Sequence, residues 1–329
     1  MPQISVIIPV FNAQRYLSEC LDSVINQTFK DTEIICVNDG SSDNSLEILK
    51  SYAKKDKRIK IIDKTNTGSG DSRNTGLKAC CGKYIIFLDA DDFVEENMFK
   101  ELYNKIEETN SDIAFCDYYR YHNETGKIEL KKVKTKLINS PTVNFYTLKE
   151  KIFLTTPAPW TKIYRRSFTE KNHLSFQNTK SCNDVAFYFL SFILAKSISY
   201  VPQPLVYYRF DNPYNISKQR GEISHYQCIL QVYTYIKQEL IKRGIFPKFK
   251  KLYQKKMLEA FYSESLNMSK PLRKTFTAEA KKQLSFSQYL KFLYKRYPLH
   301  KFIFSLSNNK NKKEKHLTTL GLNFKIKRK

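Results

Sequence analysis

Short β-rich segments alternate with helical segments through the first 110 residues, and this alternation restricts the fold more than any other feature of the chain. Ile4–Val10 is rich in Val and Ile, whereas Tyr16–Asn26 carries its apolar residues at the helical spacing. The predicted strands are residues 4–10, 33–37, 59–62 and 84–88, and the predicted helices are residues 16–26, 72–81, 97–109 and one that begins at Asn44 with a capping box to Glu47. This order predicts a parallel, doubly wound sheet in an α/β domain.

The regular pattern ends after a fifth β-rich segment, residues 113–119. Glu124–Lys127 has the composition of a hairpin tip, and Asn308–Lys315 has that of a polar, basic linker. Between them we predict a helix over residues 184–196, an extended segment over 200–209, and helices over 226–243 and 251–266. We therefore expect a catalytic domain over residues 1–220 and a basic helical region over residues 221–329.

The formal net charge of +24 would ordinarily suggest a nucleic-acid partner, so its distribution along the chain matters. Residues 1–100 hold thirteen Lys and Arg against fifteen Asp and Glu, whereas residues 271–329 hold sixteen against two. The excess positive charge thus lies outside the predicted sheet. With 41% hydrophobic residues, the chain as a whole has the composition of a folded protein.

The seven cysteines form neither a CxxC pair nor a zinc-like spacing with histidine, which predicts reduced thiols and no disulfide framework. The chain enters a strand directly after Gln3, without the basic and apolar regions of a signal peptide. Its longest nearly apolar run, Val185–Ala195, is too short to cross a bilayer. We expect a cytoplasmic protein.

Acidic and polar residues follow the predicted strands, at the end of a parallel sheet where ligands bind. Asp89-Ala90-Asp91-Asp92 comes directly after the fourth strand, and Asn38–Asp43 follows the second. Crowded carboxylates favour a divalent cation with oxygen ligands, here Mn²⁺ or Mg²⁺, which can also hold a diphosphate. The alternative is a solvated loop in which Asp91 or Asp92 caps the next helix. Neither GxGxxG nor a P-loop motif occurs, which disfavours dinucleotide-binding and P-loop proteins.

Four motifs stand in a specific order within the first hundred residues: Pro9–Asn12, Val37–Asp43, Gly70–Gly76 and Phe87–Asp92. Together they resemble glycosyltransferase family 2, strongly from Ile4 to about Asn97 and more loosely to about residue 217. The resemblance implies a GT-A fold, with a Rossmann-like, mostly parallel sheet, and here a basic α-helical extension at the C-terminus. It also implies an inverting, metal-dependent transfer of sugar from a nucleotide-sugar, favouring UDP, to a glycan or lipid-linked glycan acceptor.

The resemblance places the donor nucleotide and the metal on matching positions. Asp39 would accept a hydrogen bond from the uracil N3, and Arg73 would approach the diphosphate from a helix N-terminus. A turn aspartate and a surface ion pair are the structural alternatives for these two residues. The donor-binding residues would be Pro9, Val10, Phe11, Asp39, Arg73, Asp89 and Ala90, and the metal ligands would be Asp91, Asp89 and Asp92.

The family's catalytic base is the aspartate of a Glu-Asp pair that opens a helix, and Asp184 matches it. Asn183 departs from the usual glutamate, which weakens the assignment, and Asp184 is also a suitable helix N-cap. A carboxylate there would remove the proton of the acceptor hydroxyl as its oxygen attacks the anomeric carbon, with inversion. The paired carboxylates of a glycosidase are not needed for this reaction.

Three further residues are expected near the acceptor or the phosphates: Trp160, Lys162 and Arg209. Trp160 is the only tryptophan, and its ring would stack on a sugar or belong to the core. The basic, aromatic stretch Tyr289–Leu306 favours peripheral contact with an anionic inner membrane, as in enzymes that assemble bacterial capsule or lipooligosaccharide. A nucleic-acid-binding protein that uses this tail, and a metal-dependent nucleotidyltransferase, are the competing interpretations.

Overall fold

The computed structural model describes residues 1–132, 140–148, 153, 155–212, 222–285, 289 and 292, and the backbone of 314–319 and 322–327. The chain divides into two compact units. One comprises Met1–Gln219 with Gln231–Arg243, and the other comprises Arg220–Leu230 with Gly244–Lys329.

The first unit is built on a nine-stranded mixed sheet in the order β3-β2-β1-β4-β8-β6-β9-β5, with β7 paired to β6. Its strands are β1 (Ile4–Val10), β2 (Thr32–Asp39), β3 (Ile59–Lys64), β4 (Tyr84–Phe87), β5 (Phe93–Val94), β6 (Ile113–Tyr121), β7 (Ile128–Lys131), β8 (Lys162–Arg165) and β9 (Ile198–Arg209). Strands β1 to β4 are parallel, so the α/β prediction is confirmed for this part. Their carboxyl ends meet at one edge of the sheet.

The described part of this unit also contains α-helices. They are α1 (Leu17–Ile25), α2 (Ser45–Lys55), α3 (Ser69–Ala79), α4 (Met98–Glu108), the single turn α5 (Phe145–Leu148), α6 (Arg166–Lys171), α7 (Val185–Leu194) and the second part of α8 (Ile223–Lys242). Val6 and Ile8 belong to a core cluster with Leu17 and Leu102. The intervening Ile7 faces α3, where a Cβ on Gly76 would lie 2.4 Å from its side chain. Glycine is therefore required for this close helix–strand packing.

Two details of the sheet concern its later strands, β8 and β9. Strand β8 is antiparallel to its neighbours β4 and β6, so the sheet is mixed, in keeping with the mostly parallel sheet that the family resemblance implies. Strand β9 runs parallel to β6, and its register shifts beside Asp117, opposite the segment that contains Pro202 and Pro204. Proline has no backbone N–H to donate, which explains the irregular pairing there.

The predicted capping box of α2 is replaced by another arrangement. Asn44 occupies the N-cap position without a side-chain capping bond. Asp43 acts instead, because its Oδ1 accepts the Ser45 N–H at 2.9 Å and its Oδ2 accepts the Gln14 N–H at 3.0 Å. The same carboxylate thus caps the helix and joins it to the loop after β1. The predicted hairpin at Glu124–Lys127 is confirmed by the β6–β7 pairing.

The second unit contains the start of α8, α9 (Phe246–Leu266), α10 (Lys270–Gln283), and an antiparallel pair, β10 (Glu314–Thr319) and β11 (Leu322–Lys327). Phe276 packs against the rings of Tyr226 and Phe261. The predicted linker Asn308–Lys315 is wrong at its end, since Glu314 and Lys315 lie in β10, and the rest of it lies outside the described residues. Tyr289–Leu306 also lies outside them, apart from Tyr289 and Phe292. Among the described helices, none is both long and apolar enough to span a membrane.

Candidate active site

The loop after β1 is fixed to the loop after β2 by side-chain contacts. Asn12 adopts a left-handed backbone conformation with φ of 47°. Its N–H donates to Ser41 Oγ at 3.1 Å, and its Oδ1 accepts the Ser42 N–H at 2.8 Å. Val10 is buried at the end of β1, whereas the neighbouring Phe11 is 52% exposed. An exposed aromatic side chain thus stands at the sheet edge where the sequence predicts a nucleotide base.

Asp39 ends β2 and connects it to the segment before α3. Its Oδ1 accepts the Thr67 N–H at 2.9 Å and contacts the ammonium of Lys64, while its Oδ2 accepts the Gly68 N–H at 2.8 Å. The carboxylate is almost fully buried. Because each carboxylate oxygen has two lone pairs, Oδ2 retains one acceptor site. Asp39 therefore already holds two loops together, and binding of uracil there stays a prediction.

Three carboxylates converge in the loop after β4. Ligand oxygens of Asp89, Asp91 and Asp92 all lie within 4.8 Å of one another. Burial and the charge of Asp89 raise the pKa of Asp91 to about 6. Burial, together with Asp91 and Asp89, raises the pKa of Asp92 well above its usual range. Such mutual repulsion is relieved by a cation.

The donor atoms of this cluster fit a divalent cation. Asp92 Oδ2 is buried and has no hydrogen-bond partner among the described residues. Asp89 and Asp91 are partly exposed, so that ligands can reach the cluster from solvent. Carboxylate oxygens are hard ligands of the kind that Mg²⁺ and Mn²⁺ prefer. The alternative of a simple helix cap is not favoured, because α4 begins at Met98, several residues beyond Asp92.

Arg209, at the end of β9, supports the acidic loop from inside the protein. Its backbone N–H donates to Asp92 Oδ1, and its Nε donates to the Asp91 carbonyl, each at 2.8 Å. Its two terminal nitrogens bind Asn123 and Glu19, and the rings of three aromatic residues surround the guanidinium: Tyr16, Phe93 and Tyr121. The side chain is 2% exposed. The structure therefore does not bring Arg209 to an open surface where a phosphate could contact it directly.

Arg73 lies on the buried face of α3 and joins two parts of the site. One terminal nitrogen binds Asp89 Oδ1, and the other donates to Asn183 Oδ1 at 2.8 Å. Asn183 in turn donates to Ser69 Oγ at 2.9 Å. The helix start can approach this segment closely because residue 70 is glycine, where a Cβ would lie 2.0 Å from the Gln177 carbonyl. Asn183 thus faces Arg73 and not the solvent.

Asp184 occupies the N-cap position of α7, yet its side chain forms no capping hydrogen bond. The residue as a whole is partly exposed. Burial raises its pKa, Arg73 lowers it, Asp89 raises it, and Lys162 lowers it. The charges that act on Asp184 therefore come from α3, the acidic loop and β8. A carboxylate that does not cap its own helix can still accept a proton, and the base role of Asp184 stays a prediction.

Trp160 lies in the turn that leads into β8, and Lys162 is the first residue of that strand; both side chains are buried. Trp160 is 4% exposed and lies between Tyr208, stacked at 5.3 Å, and Tyr118, edge-on at 4.9 Å. The core alternative thus describes Trp160 better than stacking on a sugar. Lys162 is fully buried, and its Nζ donates to three oxygens within the chain. Neither side chain is presented to an acceptor in this structure.

Several residues of the site were not found from the sequence. Asn212 donates to Asp91 Oδ2 at 2.7 Å. Lys64 binds Asp39, and Glu19 binds Arg209. Their partners lie far away along the chain, and none belongs to a motif. The sequence marks Asn183 only by its departure from the family's usual glutamate. That departure is the one sequence signal for a residue that binds Arg73.

The family model described as "Glycosyl transferase family 2" matches residues 5–173. With this match, the chain belongs to glycosyltransferase family 2. The uncharacterized glycosyltransferase EpsJ of Bacillus subtilis (strain 168) is 34% identical over 224 residues. That match covers 66% of this chain and 64% of EpsJ, so the chain spans slightly less than two thirds of the length of this relative.

Solved structures of two proteins show the same fold at low sequence identity. S. aureus TarS 1-349 in complex with UDP-GlcNAc superposes with a TM-score of 0.63 at 20% identity, covering 98% of this chain and 96% of that one. The mannosyltransferase PcManGT from Pyrobaculum calidifontis, in complex with GDP-Man and Mn²⁺, has a TM-score of 0.56 at 14% identity, covering 91% and 82%. The GT-A fold expected from the sequence is thereby confirmed.

Proposed function

We propose that this protein is an inverting glycosyltransferase that moves a sugar from a UDP-sugar to a hydroxyl group of a glycan or lipid-linked glycan. The observation that carries the proposal is the pairing of two acidic elements at one sheet edge. One is the Asp89–Asp92 cluster with its unpartnered buried oxygen, and the other is Asp184, a carboxylate that does not cap its own helix. The positive charge of Arg73 acts on both elements, because Arg73 binds Asp89 and lowers the pKa of Asp184.

In this reaction Asp184 accepts the proton of the acceptor hydroxyl while that oxygen attacks the anomeric carbon. The bond from this carbon to the diphosphate oxygen breaks, and attack from the opposite face inverts the configuration. Arg73 supplies positive charge beside the diphosphate through a buried guanidinium whose terminal nitrogens are held by Asp89 and Asn183. A divalent cation held by Asp89, Asp91 and Asp92 would neutralise charge on the departing nucleoside diphosphate.

Two findings support the choice of donor and metal. TarS, which shares the fold, is solved with UDP-GlcNAc, and PcManGT is solved with GDP-Man and Mn²⁺. In this chain, exposed Phe11 and the remaining acceptor site on Asp39 Oδ2 favour a uracil base between the loops after β1 and β2. We therefore assign UDP as the nucleotide and Mn²⁺ or Mg²⁺ as the metal.

The acceptor and the cellular setting extend the same proposal. Family membership and the basic C-terminal composition favour a surface glycan of a bacterial capsule or lipooligosaccharide, built at the cytoplasmic face of the inner membrane. The competing nucleic-acid interpretation relies on the same basic segment and leaves the acidic cluster unexplained.

The test is calorimetric titration of UDP, GDP, CDP and dTDP into the full chain, with Mn²⁺ and then with EDTA. Metal-dependent binding that is selective for UDP is expected. Asp31→Asn, which alters an exposed aspartate at the other end of the sheet, is the matched control and should bind as the unaltered protein does. Absence of nucleotide binding by the folded protein, with or without metal, would overturn the proposal.

A further inference from the structure

Helix α10 buries one side and presents a basic side to solvent. Its buried residues are Phe276 and Ala280. Lys270, Lys274 and Lys281 are all exposed, and at about 3.6 residues per turn they project within about 40° of one another. These three residues are called the lysine face below. They place three positive charges along one exposed strip of the helix.

The charges of the lysine face are not neutralised by acidic residues. Within the described part of the chain none of its ammonium groups forms a salt bridge, and only Lys281 has a ring contact, with Tyr289 at 5.4 Å. Glu279, the one acidic residue of α10, pairs with Lys282 at 2.9 Å, to one side of the lysine face. Arg273 is turned inwards and donates to two backbone carbonyls. Like charges repel one another, so a partner with many negative charges would stabilise this strip.

An exposed apolar side chain lies beside the lysine face, within the same unit. Ile223, the first residue of α8, is 58% exposed. It lines an open depression of about 750 Å³ with Pro271 and Thr275, which directly follow the first two lysines of that face in the chain. Glu222 supplies the acidic group of this lining. Basic and exposed apolar side chains therefore adjoin on the surface of the second unit.

This combination fits an anionic lipid bilayer better than a nucleic acid. Helices that lie on membrane surfaces carry lysines on their polar side, next to apolar residues that enter the headgroup boundary. Sites for single-stranded nucleic acid combine basic residues with exposed aromatic rings on which bases stack. The exposed aromatic residues of the described chain are Phe11, Tyr146 and Phe210, and all three belong to the first unit. The chemistry beside Ile223 thus matches lipid phosphates above an apolar layer.

We propose that the lysine face of α10, together with Ile223, is a contact surface for an anionic phospholipid bilayer. The three lysines bind lipid phosphates, and the isoleucine enters the headgroup boundary. The purpose of this contact, access to a lipid-linked acceptor, rests on the proposed function. The contact itself does not, because it requires neither a donor nor an acceptor.

The test is sedimentation of the full chain with vesicles of phosphatidylcholine and phosphatidylglycerol, and with vesicles of phosphatidylcholine alone. Binding to the anionic vesicles, weakened by salt, is expected. A triple variant of the lysine face, Lys270→Gln, Lys274→Gln and Lys281→Gln, should lower the partition coefficient on the order of 100-fold, because each lysine near an anionic surface contributes about fivefold. Ile223→Ser should lower it about tenfold with little dependence on salt, because the lost contribution is apolar.

The matched control is a second triple variant, Lys54→Gln, Lys57→Gln and Lys100→Gln, which removes the same charge from exposed lysines of the first unit. It should bind anionic vesicles within about twofold of the unaltered protein, because charges farther than about 10 Å from the lipid are screened by salt. Glutamine has nearly the helix propensity of lysine, so both variants should fold. Equal binding by the two triple variants would overturn the proposal, as it would if the stretch Tyr289–Leu306 made the contact instead. Equal binding of the unaltered protein to both kinds of vesicle would also overturn it.

Two further measurements separate this proposal from its alternatives. If the unaltered protein binds single-stranded RNA and not vesicles, and the lysine-face variant loses that binding, a nucleic acid is the partner and the proposal is wrong. Titration of UDP into the same variants should give the affinity of the unaltered protein. If anionic vesicles bind and UDP does not, only the transferase proposal is wrong. If UDP binds and anionic vesicles do not, only the bilayer contact is wrong.

Discussion

The backbone N–H of Arg209 donates to Oδ1 of Asp92 at 2.8 Å, while the other carboxylate oxygen of Asp92 has no partner among the described residues. The last residue of β9 thus orients a carboxylate that lies more than a hundred positions earlier in the chain. One oxygen is fixed and the other is left for a ligand. The geometry of the acidic loop consequently depends on a strand that contributes no acidic residue to it.

Replacement of Arg209 should therefore weaken both the fold and the metal-dependent site. Arg209→Met removes three side-chain hydrogen-bonding interactions, to Asp91, Asn123 and Glu19, and takes a buried charge out of the contact between β9 and the acidic loop. We expect the free energy of unfolding to fall by about 3 kcal/mol, measured by urea denaturation, together with weaker metal-dependent UDP binding. Lys50→Ala, which breaks an exposed ion pair with Glu47, should change stability by less than about 0.5 kcal/mol. Equal effects of the two variants would contradict the role assigned to Arg209.

Glu33 lies near the start of β2, at the end of the sheet opposite the acidic loop. Its ionisation should make the free energy of unfolding depend on pH in the acid range. Burial acts to raise its pKa, but hydrogen bonds from Lys60, Ser5 and Cys81 lower it to about 2. Because the folded-state pKa lies below the unfolded value, its contribution is present above about pH 4.5 and is lost as the pH falls towards 2. Glu33→Gln should reduce the free energy of unfolding by about 1–2 kcal/mol at pH 7, because solvent screens the contact with the exposed Lys60, and should flatten its dependence between pH 2 and 4.5. An unchanged slope in acid denaturation would show that Glu33 is not the group responsible.

Local patterns were sufficient to predict much of the first unit. The bounds of β1 agree with the prediction, and the predicted α1 begins and ends within one residue of the observed helix. The reason is that parallel strands buried on both faces have continuous apolar sequences, which a crossover helix separates clearly. The clustering of Asp89, Asp91 and Asp92 also followed from their position after a strand.

What could not be predicted depends on contacts between distant residues. Strand β8 has four residues, too few for a periodic pattern, and its antiparallel direction is set by its neighbours β4 and β6. Asn183 and Arg73 are 110 residues apart, and Arg209 and Glu19 are 190 apart. The burial of Lys162 could not be predicted, because lysine usually lies at the surface and the oxygens that bind its ammonium cannot be identified from the sequence.

Substitutions of Asp91 and Asp184 should affect different steps, donor binding for Asp91 and sugar transfer for Asp184. Asp91→Asn removes one charge from the acidic cluster, so metal-dependent UDP binding should be lost in calorimetry. Asp184→Asn keeps that cluster intact and should bind UDP normally, while release of UDP from a bound UDP-sugar falls by about 10²- to 10⁴-fold. The reverse pattern would exchange the two roles. Asp31→Asn serves as the control for both measurements.

Asn183 should affect UDP binding by holding Arg73, and should not contact the acceptor glycan. Asn183→Leu has nearly the same shape but removes the acceptor for one terminal nitrogen of Arg73, a buried group whose loss of a partner costs about 1–3 kcal/mol. Arg73 should then be less fixed beside Asp89, and UDP should bind with a higher dissociation constant in calorimetry.

Ser69→Ala is the matched control for this effect, since it removes only the partner of the Asn183 amide nitrogen and leaves the Arg73 contact in place. It should bind UDP within about twofold of the unaltered protein, because the loss of one partly exposed hydrogen bond costs well under 1 kcal/mol. If Asn183→Leu binds UDP as tightly as Ser69→Ala does, Asn183 does not orient Arg73 for the donor. The asparagine that replaces the usual glutamate would then have no part in holding the diphosphate.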